Sequence, residues 1–190
     1  MNAGVFEAVS VIHSFAELRE RARACGPRRV GVVLADDDVA LAAASDALIA
    51  GIAWPVLIGD ERRIRARAEA LGLVELAERA EFVTAGENAP EIAVQMAREG
   101  SIDILMKGHL RTDELLRPVL DRENGLRAGR LLCDVAFFEH HDAEGRRLVG
   151  ITDGGLNVMP TLEQKRQIVL AAIEVLHCLG VARPRIAIMS

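Results

Sequence analysis

Between Met106 and Arg117 the chain reads Met-Lys-Gly-His-Leu-Arg-Thr-Asp-Glu-Leu-Leu-Arg. An apolar run gives way to a polar loop, and the loop to a helix that carries cations, which are the parts from which an α/β protein builds an anion site. Ile102 to Met106 predicts a buried strand, and Lys107 to Arg111 the loop leaving its carboxyl end, where ligands of open α/β sheets gather. Thr112 is expected as the helix N-cap, its hydroxyl accepting a backbone N–H one turn on. Unpaired N–H groups of that first turn, the helix dipole and the charges of Lys107, Arg111 and Arg117 suit a phosphate, with His109 as a further contact. Asp113 and Glu114 already complement the same dipole, so an ordinary capped helix with solvated charges is the alternative.

Asp153 and Asn157, separated by Gly154-Gly155, form a second candidate, because backbone without side chains approaches a ligand closely. A turn that needs the glycines for conformation alone reads the same way. His140-His141-Asp142 is read as part of a solvated hairpin turn through Gly145, since adjacent strand histidines point to opposite sides and do not share a metal. His13 and His177 have apolar neighbours and are expected as structural histidines. Cys25, Cys133 and Cys178 contain no C-x-x-C pair, so neither a disulfide framework nor a zinc site is indicated. Cys133 and Cys178 are expected as small buried hydrophobes, and Trp54 as core. No G-x-G-x-x-G or Walker-type run is present.

The elements that must position these residues follow from two alternating periodicities. Ser14 with Glu17 predicts a capping box for a first helix that stops at Gly26-Pro27. Strands are expected at Val30 to Leu34, Trp54 to Ile58 and Phe82-Val83. Helices open at Asp36 to Asp38, at Asp60, near Leu73 and at Asn88, the last ending at Gly100. This rhythm predicts a parallel sheet covered by helices on both faces. Beyond the helix from Thr112 to Leu120, Arg122 to Arg130 suits a crossing between lobes. Leu132 to Phe138 and Arg147 to Thr152 are two strands of a hairpin. Thr161 with Gln164 caps a helix to Gly180, and Arg185 to Met189 is a last strand. The expected lobes are 1–124, a first α/β lobe, and 125–190, a partial second one.

Composition closes off several function classes. The 190 residues are 51% hydrophobic and 27% charged, enough for a substantial core in one large or two small domains. A net charge of -5 with interspersed basic residues, and 3% aromatics with no tyrosine, argue against nucleic-acid partners. Apolar runs fall short of the ~20 residues that span a bilayer, and no signal-peptide pattern occurs, so a cytoplasmic protein away from membranes is expected.

Taken in order, these residues resemble the phosphate acetyl/butyryltransferase family, especially its butyryltransferase-like branch. The likeness runs through Met106-Lys107-Gly108, Thr112 to Arg117, Gly125 to Arg130, Asp134 to Phe137, Ile151 to Asp153 with Asn157 and Pro160, the Thr161 to Gly180 helix, and Pro184 to Ser190. It covers residues 90 to 190, while the N-terminal half shares only the helix and strand rhythm. The resemblance implies a three-layer α/β/α fold of the isocitrate/isopropylmalate dehydrogenase type with an incomplete second lobe. It implies transfer of a short acyl group between coenzyme A and inorganic phosphate, both as substrates with no bound cofactor or metal, and self-association as a homodimer. Thr112 and Arg117 would hold the phosphoryl group with Lys107 nearby, while Asp153 and Asn157 would face the same cleft. The family's base and oxyanion donors come from a later Ser-Arg-Ala-Asp segment, beyond Ser190. The alternatives to a working acyltransferase are a noncatalytic phosphate- or CoA-binding module and a truncated fragment of such an enzyme. A metal-dependent dehydrogenase of the same fold is disfavoured for want of clustered carboxylates.

Overall fold

The computed structural model describes residues 10–143 and 145–189, so Glu144 of the expected turn and Ser190 lie outside the described residues. The chain divides into two compact units. One is Arg21–Ala128, and the other combines the described parts of 1–20 and 129–190.

The first unit follows the βα alternation of its sequence. Its elements are β1 (Arg28–Val33), α2 (Asp38–Ile49), β2 (Ala53–Gly59), α3 (Glu61–Ala70), α4 (Val74–Arg79), β3 (Glu81–Thr84), α5 (Ala89–Arg98), β4 (Ile104–Lys107) and α6 (Thr112–Val119), preceded by the end of α1 (Phe15–Ala24). Local capping starts the helices where the aspartates fall. The Asp37 carboxylate accepts from Ala40 N at 2.8 Å, and that of Asp60 from Arg62 N at 2.9 Å. Each bond satisfies an amide that the helix leaves unpaired.

The four strands are parallel in the order β3-β2-β1-β4. Because β1, β2 and β3 progress outward and the chain then crosses back to place β4 on the other side of β1, the winding direction reverses between β1 and β4. Helices cover both faces. Val32 and Leu57 pack with Leu41, Ile64 and Leu76 of α2, α3 and α4, whereas Val33, Val56 and Ile58 pack with Ala89 and Ala93 of α5. Buried on both sides, Gly31–Val33 of β1 and Pro55–Gly59 of β2 are continuous runs without alternation. The unit is therefore a three-layer α/β/α arrangement. Trp54, expected in the core, is instead 38% exposed near the amino end of β2, with the Arg79 guanidinium 5.8 Å from its ring centroid.

The second unit is built on β5 (Ala136–Asp142), β6 (Gly145–Ile151) and α7 (Leu162–Cys178), with residues 10–20. The expected hairpin forms as an antiparallel pair, Phe138 opposite Val149. Its ladder runs further than anticipated. His140 and His141 pair with Arg147 and Arg146 within it, so they are strand residues and not a turn. Cross-strand charges favour the longer ladder: Arg147 bonds Asp142 at 2.5 Å, and Arg146 lies 3.9 Å from Glu139. The Thr161–Gln164 capping box forms as read, with bonds of 3.3 Å and 2.8 Å. Ser14 caps Glu17 N at 3.1 Å, while the Glu17 carboxylate accepts from His13 N, not from Ser14 N.

Ile12, Ser14, Ile168, Ala172 and Leu179 are buried, and Ile12 N donates to Leu179 O at 2.9 Å. The Glu139 carboxylate accepts from Phe15 N at 2.6 Å. Residues 185–189 form no strand, a correction to the apolar reading, since their backbone has no ladder partner among the described residues. His13, His177 and Cys178 are exposed and Cys133 is half-buried, so apolar sequence neighbours did not imply burial. No described helix is long and apolar enough to cross a membrane.

Candidate functional site

The carboxyl ends of β1 and β4 flank the reversal point, where an open α/β sheet parts its outgoing loops and leaves a crevice. Here the two loops are stitched together. Gly108 N donates to Val33 O at 2.9 Å and His109 N to Leu34 O at 2.7 Å, continuing the β1–β4 ladder past the end of the strand. Leu34 presents its carbonyl from a left-handed conformation, φ 51°. Gly108 is buried, and a Cβ there would lie 2.2 Å from Leu34 O and 2.6 Å from Val33 O. No side chain fits at that position.

Lys107 closes the other side of the loop. Its Nζ donates to Leu110 O at 2.8 Å and to Gly108 O at 3.3 Å, while Leu110 N returns to Gly108 O at 3.0 Å. Beyond this tight turn the N-cap of α6 is Arg111, not Thr112, which is the first helical residue. The cause is Glu114, whose carboxylate accepts from Arg111 N at 2.8 Å and fixes the helix start one residue early. The Arg111 guanidinium turns to Asp113 at 2.9 Å.

Thr112 and His109 are exposed, and Arg117 is exposed with no carboxylate partner among the described residues. Five positions at 3.6 residues per turn set Arg117 about 140° around the helix from Thr112. It shares a face with Asp113 and Glu114 instead. Chemically, the turn offers first-turn amides and an unpaired guanidinium to an anion, against the standing negative charge of Asp113 and Glu114.

Asp153 and Asn157 belong to the second unit and hold each other. One Asp153 oxygen accepts from Leu156 N at 2.8 Å, Gly155 N at 3.1 Å and Asn157 N at 3.3 Å, while the Asn157 amide bonds the other oxygen and donates to Leu132 O at 2.9 Å. Burial works to raise the Asp153 pKa, but the Asn157 amide and the three backbone donors outweigh it and hold the carboxyl below its ordinary value. Asp134, noted in the sequence as part of the Asp134 to Phe137 run and not as a candidate site residue, joins this network. Its carboxylate accepts from Gly154 N at 2.8 Å and its carbonyl from the Thr152 hydroxyl at 2.5 Å. Partial burial, then Asp153 and Asp134, push the neighbouring Cys133 thiol up.

A groove lies elsewhere, in the first unit. An apolar trough of about 310 Å³, lined by Cys25, Val30, Ala43, Ala53, Ile104 and Met106, opens toward the amino ends of the strands, opposite the β4–α6 turn. Among the described residues no group of three or more histidine, cysteine or carboxylate side chains is placed to hold a metal.

Comparison with known proteins places this arrangement. Residues 77–190, which include β4, its turn and α6, match the model of a family described as phosphate acetyl/butaryl transferase. A phosphate butyryltransferase of Clostridium acetobutylicum is 33% identical over 181 residues, which cover 93% of this chain and 58% of the relative. A phosphate acetyltransferase of Rhizobium meliloti is 35% identical over 176 residues, 89% of this chain and 53% of the relative. The crystal structure of a phosphotransacetylase from Streptococcus pyogenes shares the fold, with a TM-score of 0.66 at 14% identity over 86% of this chain and 58% of that one. The chain thus spans little more than half the length of the curated relatives it matches. With the α/β/α unit, the turn and the segment beyond it all inside these matches, the chain belongs to the phosphate acetyl/butaryl transferase family.

Proposed function

We propose that the chain acts in acyl transfer between coenzyme A and inorganic phosphate, with the phosphoryl group received at the start of α6. In that reaction a phosphate oxygen attacks the thioester carbonyl, the C–S bond breaks, and CoA leaves as the thiol once it is protonated. The observation that carries the reading is the match to relatives named phosphate butyryltransferase and phosphate acetyltransferase along about nine tenths of the chain. Arg117 supports the placement, since a guanidinium without a carboxylate partner can offer two parallel N–H groups to phosphate. The first-turn amides of α6 and the exposed His109 would complete the contacts, with the Thr112 side chain on a different face of the helix from Arg117. The substrates on this reading are acyl-CoA and phosphate, met in the cytoplasm. A second reading is a phosphate- or CoA-binding module without turnover.

Two measurements test the proposal. Thiol release from butyryl-CoA or acetyl-CoA that requires phosphate supports acyl transfer, and phosphate binding without thiol release selects the second reading. For placement, Arg117→Ala is expected to weaken phosphate binding by about 2 kcal/mol, roughly 30-fold, in calorimetry. Unchanged affinity in that variant rejects the site.

A further inference from the structure

Lys107 is the cation nearest the turn, and two of its donors are already engaged there. Its Nζ faces two carbonyl oxygens of the loop it precedes, 2.8 Å from Leu110 O and 3.3 Å from Gly108 O. An ammonium has three donors and no acceptor. Two are engaged, and both carbonyls they engage belong to the segment that aims α6. On the far side, the same loop hangs from β1 through Gly108 N and His109 N. The loop is therefore gripped from two directions, by the Val33 and Leu34 carbonyls and by the Lys107 ammonium.

From this we infer that Lys107 is a positioning residue: it folds the 108–110 loop so that the first amides of α6 point at the anion, and it does not itself bind the phosphate. The inference rests on the proposed anion site for its consequence, but the clamp can be observed without any ligand. Removing the ammonium takes the side-chain donor from Leu110 O and leaves Gly108 O with the Leu110 amide alone, which lets the turn open, and the helix start then samples several directions. Charge is incidental to this role, whereas a donor able to reach Leu110 O is essential. Donor and charge can be separated by substitution.

Three variants of the full chain make the test: Lys107→Met, with neither donor nor charge; Lys107→Gln, with donors alone; and Lys107→Arg, with both. The readouts are amide hydrogen exchange at His109 and Leu110, followed by titration with inorganic phosphate monitored by NMR. For a clamp, Lys107→Met speeds exchange at these amides at least tenfold while Val32 and Val33 of β1 keep their protection. Phosphate affinity falls in parallel, and Lys107→Gln and Lys107→Arg both recover a large part of each loss. If Lys107→Gln is as impaired toward phosphate as Lys107→Met while its loop stays protected, Lys107 is a direct charge ligand and the inference is overturned. Unchanged loop exchange in Lys107→Met overturns it equally. Should the wild-type chain not titrate with phosphate, the anion site fails, and the exchange data still decide the clamp.

Discussion

Replacing Gly108 by alanine tests the junction on which the proposed site depends. The backbone at Gly108 is not in the left-handed region, so alanine meets no conformational barrier and the effect is one of space alone. The added carbon would sit 2.2 Å from Leu34 O and 2.6 Å from Val33 O, both backbone atoms that cannot rotate away. Restoring ordinary contact means moving the loop by about 1 Å, enough to break hydrogen bonds that now measure 2.9 and 2.7 Å. Two such bonds contribute about 0.5–1.5 kcal/mol each, and residual overpacking costs about 1–3 kcal/mol. A loss of about 3 kcal/mol is therefore expected, a large part of a typical 5–15 kcal/mol total stability. Trp54, the single tryptophan, lies in β2 of the same unit, so its fluorescence during urea unfolding reports the transition. Gly31→Ala is the internal comparison. Its added carbon would fall 2.5 Å from Ile102 Cδ1, the tip of a side chain that can turn aside, and a smaller loss of about 1 kcal/mol is expected. If Gly108→Ala lowers stability by less than about 1 kcal/mol, or no more than Gly31→Ala does, the stitched-loop reasoning is refuted.

The 152–157 network yields two further expectations. Because the folded state holds the Asp153 pKa down, its contribution to stability is fully present above the ordinary aspartate value of about 3.9 and is lost as pH falls through the lower folded value. The Leu156 amide should thus titrate with a midpoint below 3.9 in NMR and show no such inflection in Asp153→Asn; a midpoint above 4 contradicts the bonding described. Cys133, half-buried with its thiol pKa raised by burial and the nearby carboxylates, should be alkylated at pH 8 at least tenfold more slowly than the exposed Cys25 and Cys178. Peptide mass mapping with equal rates at the three sites would contradict this.

Features set by neighbours in sequence were legible, and those set by three-dimensional partners were not. Asp60 and Thr161 cap helices as read, and Asp37 is the cap within the Asp36 to Asp38 opening, because each bond spans two or three residues. Thr112 failed as a cap for an equally local reason that the pattern hides, since Glu114 reaches the Arg111 amide and starts the helix there. Trp54 looks like core by residue type, yet the aligned strand ends leave it at the rim of β2. Leu34 carries no signal at all, because a left-handed leucine is imposed by the carbonyl it must present to His109. The candidate site divides the same way. The strand, loop and helix around Lys107 to Arg117 could be read from the apolar pattern, but the direction of the Lys107 ammonium depends on where the Leu110 carbonyl points. Similarly, the closeness of Asp153 and Asn157 in sequence revealed the pair, while Asp134 joins them only through the return of the hairpin.

The pairing of Ile12 with Leu179 has an implication for biosynthesis. One unit is continuous in sequence, but the other is assembled from both sides of it, so a ribosome delivers the first portion long before its complement exists. Chains acquire structure as they emerge, and the uninterrupted unit can mature meanwhile. Residues 10–20 must wait until the chain has been made through Leu179 before their hydrogen bonds and buried side chains have anywhere to go. Joining those distant residues carries the entropy of a very long closure, a cost that grows only logarithmically with separation, and already folded intervening chain shortens the span to be closed.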